Sequence, residues 1–260
     1  MACGVRTRLA SANAMDALTI AAASGLRSRA ESLDMLANNI ANASSAGFKA
    51  DREFYNLYTS AEASGDEDGT TAANQLPVIE RHWTDFSQGT LTTTGNPLDL
   101  ALTGGGFFLV QTPTGILYTR DGNFRLSPDG KLQTQDGYPV LSSERKAIVL
   151  DPSQEIDISG DGTIQQGGEQ VATLGVASFQ DLNELEKQGS NYYRFSLSSL
   201  PPQLASPDVH QGALESANAQ PAEAAVRLVG VMRQFEMLQK AMNIGSDMCR
   251  RSIEEVAKVV

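Results

Sequence analysis

Two heptad-spaced apolar seams, one near each end of the chain, constrain what this sequence can fold into more than any other feature. Residues 23–52 read ASGLRSRAESLDMLANNIANASSAGFKADR. Ala23, Leu26, Ala30, Leu33, Ala37 and Ile40 alternate three- and four-residue steps, which places them in one narrow stripe on a helix. Arg27, Arg29, Glu31, Asp34 and Asn38 occupy the other faces, so the helix is solvated on one side and incomplete on the other. Asn42, Ser44, Ser45 and Gly47 then end the periodic run before Phe48. The second seam consists of Leu228, Val231, Phe235, Leu238 and Met242 within residues 226–256. Pro221, Ala222 and Glu223 suit a first helical turn, with Asn218 or the residues just after it as cap. The two seams complete each other as a coiled coil of the terminal helices. Two ordinary amphipathic helices packed on one globular core satisfy the same spacing.

A chain of 260 residues can bury a sizeable core and sits near the length at which one core splits into two. Its 41% hydrophobic and 20% charged residues are ordinary for a folded protein. A formal net charge of −11, with no basic patch, argues against nucleic acid as a partner, since binding there rests on neutralising phosphates. Cys3 and Cys249 stand at opposite ends and form neither a disulfide framework nor a metal-ligand spacing. No apolar run reaches the roughly 18 residues of a membrane-spanning helix. Arg6 and Arg8 ahead of the apolar residues 17–23 imitate a secretory signal, but Asp16 interrupts it and the alanines belong to the seam helix. Residues 1–14 share no pattern with the seam helix and read as a non-native extension, with Met15 as the natural start.

The pattern predicts an α+β chain: an amino-terminal helix over 15–46, an extended segment and mobile loop over 47–75, a central antiparallel all-β domain over 76–210, and a carboxy-terminal helix over 211–260. In the loop, Asp66, Glu67 and Asp68 read as a solvated charge run rather than a calcium cluster. The β-domain is announced by turn signals at Asp121-Gly122, Pro128-Asp129-Gly130, Asp136-Gly137 and Asp161-Gly162. Between them lie short apolar runs at 107–110, 116–118, 148–150 and 174–179. A helical turn is expected within 181–188, before a further strand at 192–197.

Chemistry is hard to find. Gly104, Gly105 and Gly106 lack the following helix of a phosphate loop and suit tight backbone geometry instead. Asp157, Ser159 and Asp161 imitate half a calcium loop, but Gly168 stands where the bidentate glutamate belongs, leaving a strand-turn-strand. His82 and His210 are isolated from each other and from cysteine, so no catalytic, cofactor or metal site is proposed.

Three long motifs, in order, carry a specific resemblance. Residues 89–141, GTLTTTGNPLDLALTGGGFFLVQTPTGILYTRDGNFRLSPDGKLQTQDGYPVL, closely resemble the central signature of the bacterial flagellar rod and hook protein family. LDMLANNIANASSAGFKA (33–50) is similar to the family's amino-terminal motif, and QGALESANAQPAEAAVRLVGVMRQFEMLQKAMN (211–243) to its carboxy-terminal one. The length and single β-domain resemble a rod subunit. RQFEMLQK, with Phe235, is more similar to proximal-rod proteins than to the distal-rod form. The extra MACGVRTRLASANA departs from the family.

The resemblance implies a structural, non-enzymatic subunit of the basal-body rod, polymerising through its terminal helices and needed for motility. It implies no cofactor and no small-molecule substrate. The implied partners are copies of itself, the other rod proteins and the flagellar type III export apparatus, which carries the chain without a cleaved signal peptide. The residues implied as assembly contacts are Leu26, Leu33, Asn38, Asn39, Ile40, Asn42, Gly47 and Phe48 at one end, and Phe235, Leu238 and Met242 at the other. A distal-rod or hook-type axial protein is the nearest alternative. A periplasmic hydrolase would need paired carboxylates drawn from Asp99, Asp121, Asp129 and Asp136, most of them on turns. A surface adhesin built on the β-domain is the remaining rival.

Overall fold

The computed structural model describes residues 3–59, 75–189, 191–195, 203–204 and 208–257. The chain is α+β and divides into two compact units, one formed by Met1–Asn38, Asp51–Trp83 and Ala222–Val260, the other by Asn39–Ala50 and Thr84–Pro221.

The first unit holds most of helix α1 (Cys3–Ala41), helix α2 (Pro221–Ala257), and a paired couple of strands, Asp51–Thr59 with Gln75–Thr84. Helix α1 runs unbroken through Met15, so residues 3–14, set apart by their sequence, are helical and continuous with the rest. The alanines there supply the propensity that lets the helix continue. It stops at Ala41 because the chain turns on itself, with Ala43 N–H donating to the Ile40 carbonyl and Ser45 N–H to that of Asn42. Helix α2 opens on Pro221, whose missing N–H costs nothing at a first helical position. The residues ahead of it, expected as helix from 211, instead form strand Ala213–Glu215, which pairs with Leu91–Thr93. The expected mobile loop at 60–74, with its acidic run, lies outside the described residues.

The second unit is built on antiparallel pairing. Its largest sheet orders Leu185–Gln188, Tyr192–Phe195, Gly115–Thr119, Phe107–Thr112, Val176–Ser178 and Gln203–Leu204. A three-stranded sheet of Ile156–Ile158, Thr163–Gln166 and Glu169–Thr173 stands beside shorter pairs, among them Leu100–Thr103 with Asp208–Gln211. Leu100, Leu102, Phe108, Val110, Phe124, Leu132 and Ile164 meet in the main core, each 2% exposed or less. Burying side chains of this size stabilises by roughly 1.5–3 kcal/mol each. A second cluster joins Phe107, Tyr118 and Tyr193, with Phe86 and Phe179 edge-on to Phe107.

Most of the turn signals make turns: Gly130 N–H donates to the Ser127 carbonyl, Gly137 N–H to that of Thr134, and Gly162 N–H to that of Ser159. The last closes a strand-turn-strand in which Asp161 Oδ1 accepts from Thr163 N–H. Asp121-Gly122 makes no hairpin. Gly122 lies against Leu100, accepting its N–H at 3.0 Å, and a Cβ there would stand 1.6 Å from the Leu100 carbonyl oxygen. Residues 148–150, expected as a strand, contribute an isolated bridge from Val149 to Lys131. Leu182–Glu184 forms a short 3-10 turn capped by Asp181, and the chain returns to strand at Leu185.

Candidate assembly site

On α1 the inward stripe is Gly25, Ser28, Ser32, Leu36 and Asn39, all buried. It lies one residue, about 100° of helix rotation, from the apolar seam drawn from the sequence. Along that seam Leu26, Leu33 and Ile40 are half-buried, and Ala23 and Ala37 are exposed. Ser32, fully buried, places its hydroxyl 2.8 Å from Glu53 Oε2 and 3.1 Å from the Ser28 carbonyl, which removes the usual penalty for burying it. Gly25 faces Leu238 of α2: a Cβ there would come within 3.4 Å of Leu238 Cδ1. The missing side chain of Gly25 leaves room there for the Leu238 side chain.

On α2 the less exposed stripe runs through Ala224, Leu228, Val231, Phe235, Leu238 and Met242, the heptad seam read from the sequence. Outside it, Val226 (74% exposed), Met237 (61%), Ile244 (61%) and Met248 (58%) face solvent.

The roots of both helices are clasped together within the second unit. Gly47 N–H donates to the Glu215 carbonyl at 2.7 Å, Asn218 N–H to the Phe48 carbonyl at 3.3 Å, and Ala50 N–H to Asn218 Oδ1 at 2.8 Å. The Asn218 amide also donates to the Asp85 carbonyl at 2.6 Å, tying in the start of the β-domain. Phe48 is fully buried beneath Lys187, whose ammonium sits 4.3 Å above the ring and donates to the Lys49 carbonyl. Gly47 has φ of +66° and lies against the Arg120 backbone, a position that needs glycine both for its dihedral and for its space.

A buried ion cluster closes the clasp. Glu215 Oε1 accepts from Lys49 Nζ at 2.5 Å and from Gly89 N–H at 2.8 Å, while Oε2 accepts from Arg120 Nη1 at 3.3 Å. Lys49 and Glu215 are at most 1% exposed and Arg120 5%. Burial pushes the Lys49 ammonium below its ordinary value, and the bond to Glu215 opposes that shift. Burial also lowers the Arg120 guanidinium, again opposed by Glu215. No sequence spacing announces this cluster, whose members are 95 and 166 positions apart.

Next to Gly47, burial raises the Asp121 carboxyl above the usual carboxylate range, against hydrogen bonds from Asn123 N–H and the Asn191 amide. The native state then keeps this proton to higher pH than the unfolded chain does. Its contribution is present in acid and falls away as pH rises from the ordinary carboxylate value through the raised one. Asp121→Asn is expected to flatten that decline, read from urea unfolding midpoints over about pH 4 to 8.

Among the predicted contacts, Gly47, Phe48 and Asn39 are therefore buried inside the chain, and Asn38 is exposed. Asn42, Leu26, Leu33, Ile40, Phe235, Leu238 and Met242 are half-buried.

The sequence matches known protein families in three blocks. Residues 21–49 match the model of flagella basal body rod proteins, 101–166 that of the flagellar hook protein FlgE/F/G D1 domain, and 210–255 that of the flagellar basal body rod FlgEFG protein C-terminal region. The basal-body rod protein FlgF of Caulobacter vibrioides is 35% identical over 230 residues, covering 87% of this chain and 92% of that protein. FlgG of Bacillus subtilis is 36% identical over 194 residues, 68% of this chain and 72% of the relative. FlgG of Buchnera aphidicola subsp. Schizaphis graminum is 30% identical over 250 residues, 87% and 95% of the respective chains. With helix roots, β-domain and carboxy-terminal helix all matched, the chain belongs to the flagellar basal-body rod protein family, a family of structural and non-enzymatic subunits.

Proposed function

We propose that this rod subunit polymerises through its two terminal helices, paired as a coiled coil, into the axial shaft that crosses the periplasm. The observation that carries the reading is the apolar surface left on α2 at Val226, Met237, Ile244 and Met248, next to half-buried seam positions on both helices. A β-domain that completes its own core has no comparable need for a neighbour. The contacts fall to Leu26, Leu33, Asn38, Ile40 and Asn42 on the amino-terminal side and to Phe235, Leu238 and Met242 on the carboxy-terminal side. Gly47, Phe48 and Asn39 act by fixing the helix roots. Partners are copies of the same chain and the other rod proteins, delivered by the flagellar type III export apparatus without a cleaved signal. The segment Arg233 to Lys240, with Phe235, favours a place in the proximal rod over the distal rod. The hydrolase and adhesin readings gain nothing from the relatives, which are rod proteins.

The test is a strain lacking this chain. Motility and hook assembly are expected to be lost, and the chain is expected in purified hook-basal bodies of the parent. A strain that still swims and builds hooks overturns the reading. Leu33→Asp sharpens it, because a charge forced unpaired into an apolar contact costs several kcal/mol. The β-domain transition should stay put while incorporation into the rod fails. Normal incorporation of that variant removes the α1 seam from the assembly contacts.

A further inference from the structure

Asn191 is pinned between the β-strands and the turn that follows α1. Its backbone carbonyl accepts from the Thr119 hydroxyl at 2.7 Å, and its side-chain nitrogen donates to the Ala46 carbonyl at 3.1 Å and to Asp121 Oδ2 at 3.3 Å. The amide oxygen Oδ1 is buried and, among the described residues, has no donor. Desolvating an acceptor without replacing its bond to water is costly, and such atoms are seldom left that way. Closed to solvent, this oxygen needs its donor from inside the fold. Asp121 stands beside it, already joined to the nitrogen of the same amide. Its Oδ1 accepts from Asn123 N–H at 3.0 Å, and its own N–H donates to Thr119 Oγ1 at 3.0 Å. A carboxylic acid and a primary amide can close a ring, the amide N–H donating to one acid oxygen and the acid O–H to the amide oxygen. A carboxylate, which only accepts, makes just the first of these bonds.

We propose that Asp121 carries a proton donated to Asn191 Oδ1, and that this closed pair latches the turn after α1 to the β-strands until rising pH removes the proton. The surroundings favour the neutral acid. Burial raises the Asp121 carboxyl, and the carboxylates of Asp136 and Asp99 push the same way, against the bonds from Asn123 and Asn191. Asp136 follows strand Leu132–Thr134 and accepts from the Tyr192 hydroxyl at 2.6 Å. Asp99 precedes strand Leu100–Thr103 and accepts from the Thr94 hydroxyl and the Asn96 amide. Arg120, the adjacent cation, is turned to Glu215 and the Gly104 carbonyl. Ionisation sets Asn191 Oδ1 against a negative charge, so the amide turns away and the Ala46 carbonyl loses its donor. Because the folded pKa is the raised one, the latch is complete in acid and is lost as pH climbs through that value. The latch goes beyond the rod reading and does not depend on it.

NMR of the full chain, with carbon-13 at aspartate Cγ and nitrogen-15 in the asparagine amides, tests it. The Asp121 Cγ resonance is expected to titrate above the ordinary aspartate value of about 3.9, and the Asn191 amide resonances to move with the same midpoint. Gly47 N–H shares its peptide group with the Ala46 carbonyl. Its protection from hydrogen exchange, corrected for the intrinsic rate, is expected to fall about tenfold as pH passes through that midpoint. Asp121→Asn offers a permanent N–H donor in place of the acid, so its protection should stay high at every pH. Asp121→Ala offers none, and its protection should be low even in acid. Titration of Asp121 at or below the ordinary value, or Asn191 resonances that ignore it, overturns the latch. So does a pH dependence that persists in Asp121→Asn, or full protection of Asp121→Ala in acid. If either variant misfolds, the wild-type titration decides alone.

Discussion

Glu215→Ala is expected to lower the stability of the β-unit by about 3–5 kcal/mol, which for a unit of this size is a fall of about 10 °C in Tm. The carboxylate is fully buried and accepts from Lys49, Arg120 and Gly89 N–H together. Removing it leaves two buried cations facing each other with their shared anion gone, and one backbone donor without an acceptor. The loss is therefore dominated by the penalty on the groups left behind rather than by the worth of any one bond. Glu215→Gln keeps an acceptor oxygen and nearly the same volume, so it should cost less. Chemical denaturation of the three proteins checks both figures, and equal stability of wild type and Glu215→Ala would show that the cluster does not hold the helix roots.

Gly47→Ala should rank with it. A left-handed backbone costs a non-glycine residue about 1–2 kcal/mol, and φ here is +66°. That is the smaller part. The added methyl would lie 2.3 Å from the Arg120 carbonyl carbon and 2.4 Å from its oxygen, so backbone on one side of the clasp must move. Gly95 provides the control, since φ is +76° but nothing lies within 4 Å of a Cβ there. Gly95→Ala should show the dihedral penalty alone. Gly47→Ala should exceed it by about 2 kcal/mol or more, as steric strain in packed regions does. Matching denaturation midpoints for the two variants would mean that the close approach relaxes freely.

How far the sequence can be read depends on which force sets each element. The α2 stripe was legible because Leu228, Val231, Phe235, Leu238 and Met242 are large and apolar, and hydrophobic spacing reports such residues directly. On α1 the same rule points 100° off. Its inward residues include Gly25, Ser28 and Ser32, which pack by being small and by bonding Glu53, and neither property registers as hydrophobic periodicity. Pro128 to Gly130 and Asp136-Gly137 made turns because their chemistry is local. Asp121-Gly122 carries the same letters yet serves a crossing with Leu100, a demand set by a distant strand. The ion cluster was invisible for that reason as well. A lysine, an arginine and a glutamate scattered along a charged chain look like surface until the fold brings them together.

The clasp between residues 46–50 and 213–218 also bears on how such a chain can change over time. The chain leaves the β-unit after Ala50, returns to it at Thr84 and leaves it again at the root of α2, and Asn218 ties these places into one clasp; domains whose ends lie side by side tolerate exchange. Lengthening a loop beyond the clasp adds only a small closure entropy, growing with the logarithm of its length. The clasp itself cannot vary so freely, since Lys49, Gly47, Glu215 and Asn218 must still meet. Grafting a β-domain of different size onto the same clasp should therefore leave the helical ends in register, so that the outer body can diversify while the frame that carries it stays constant.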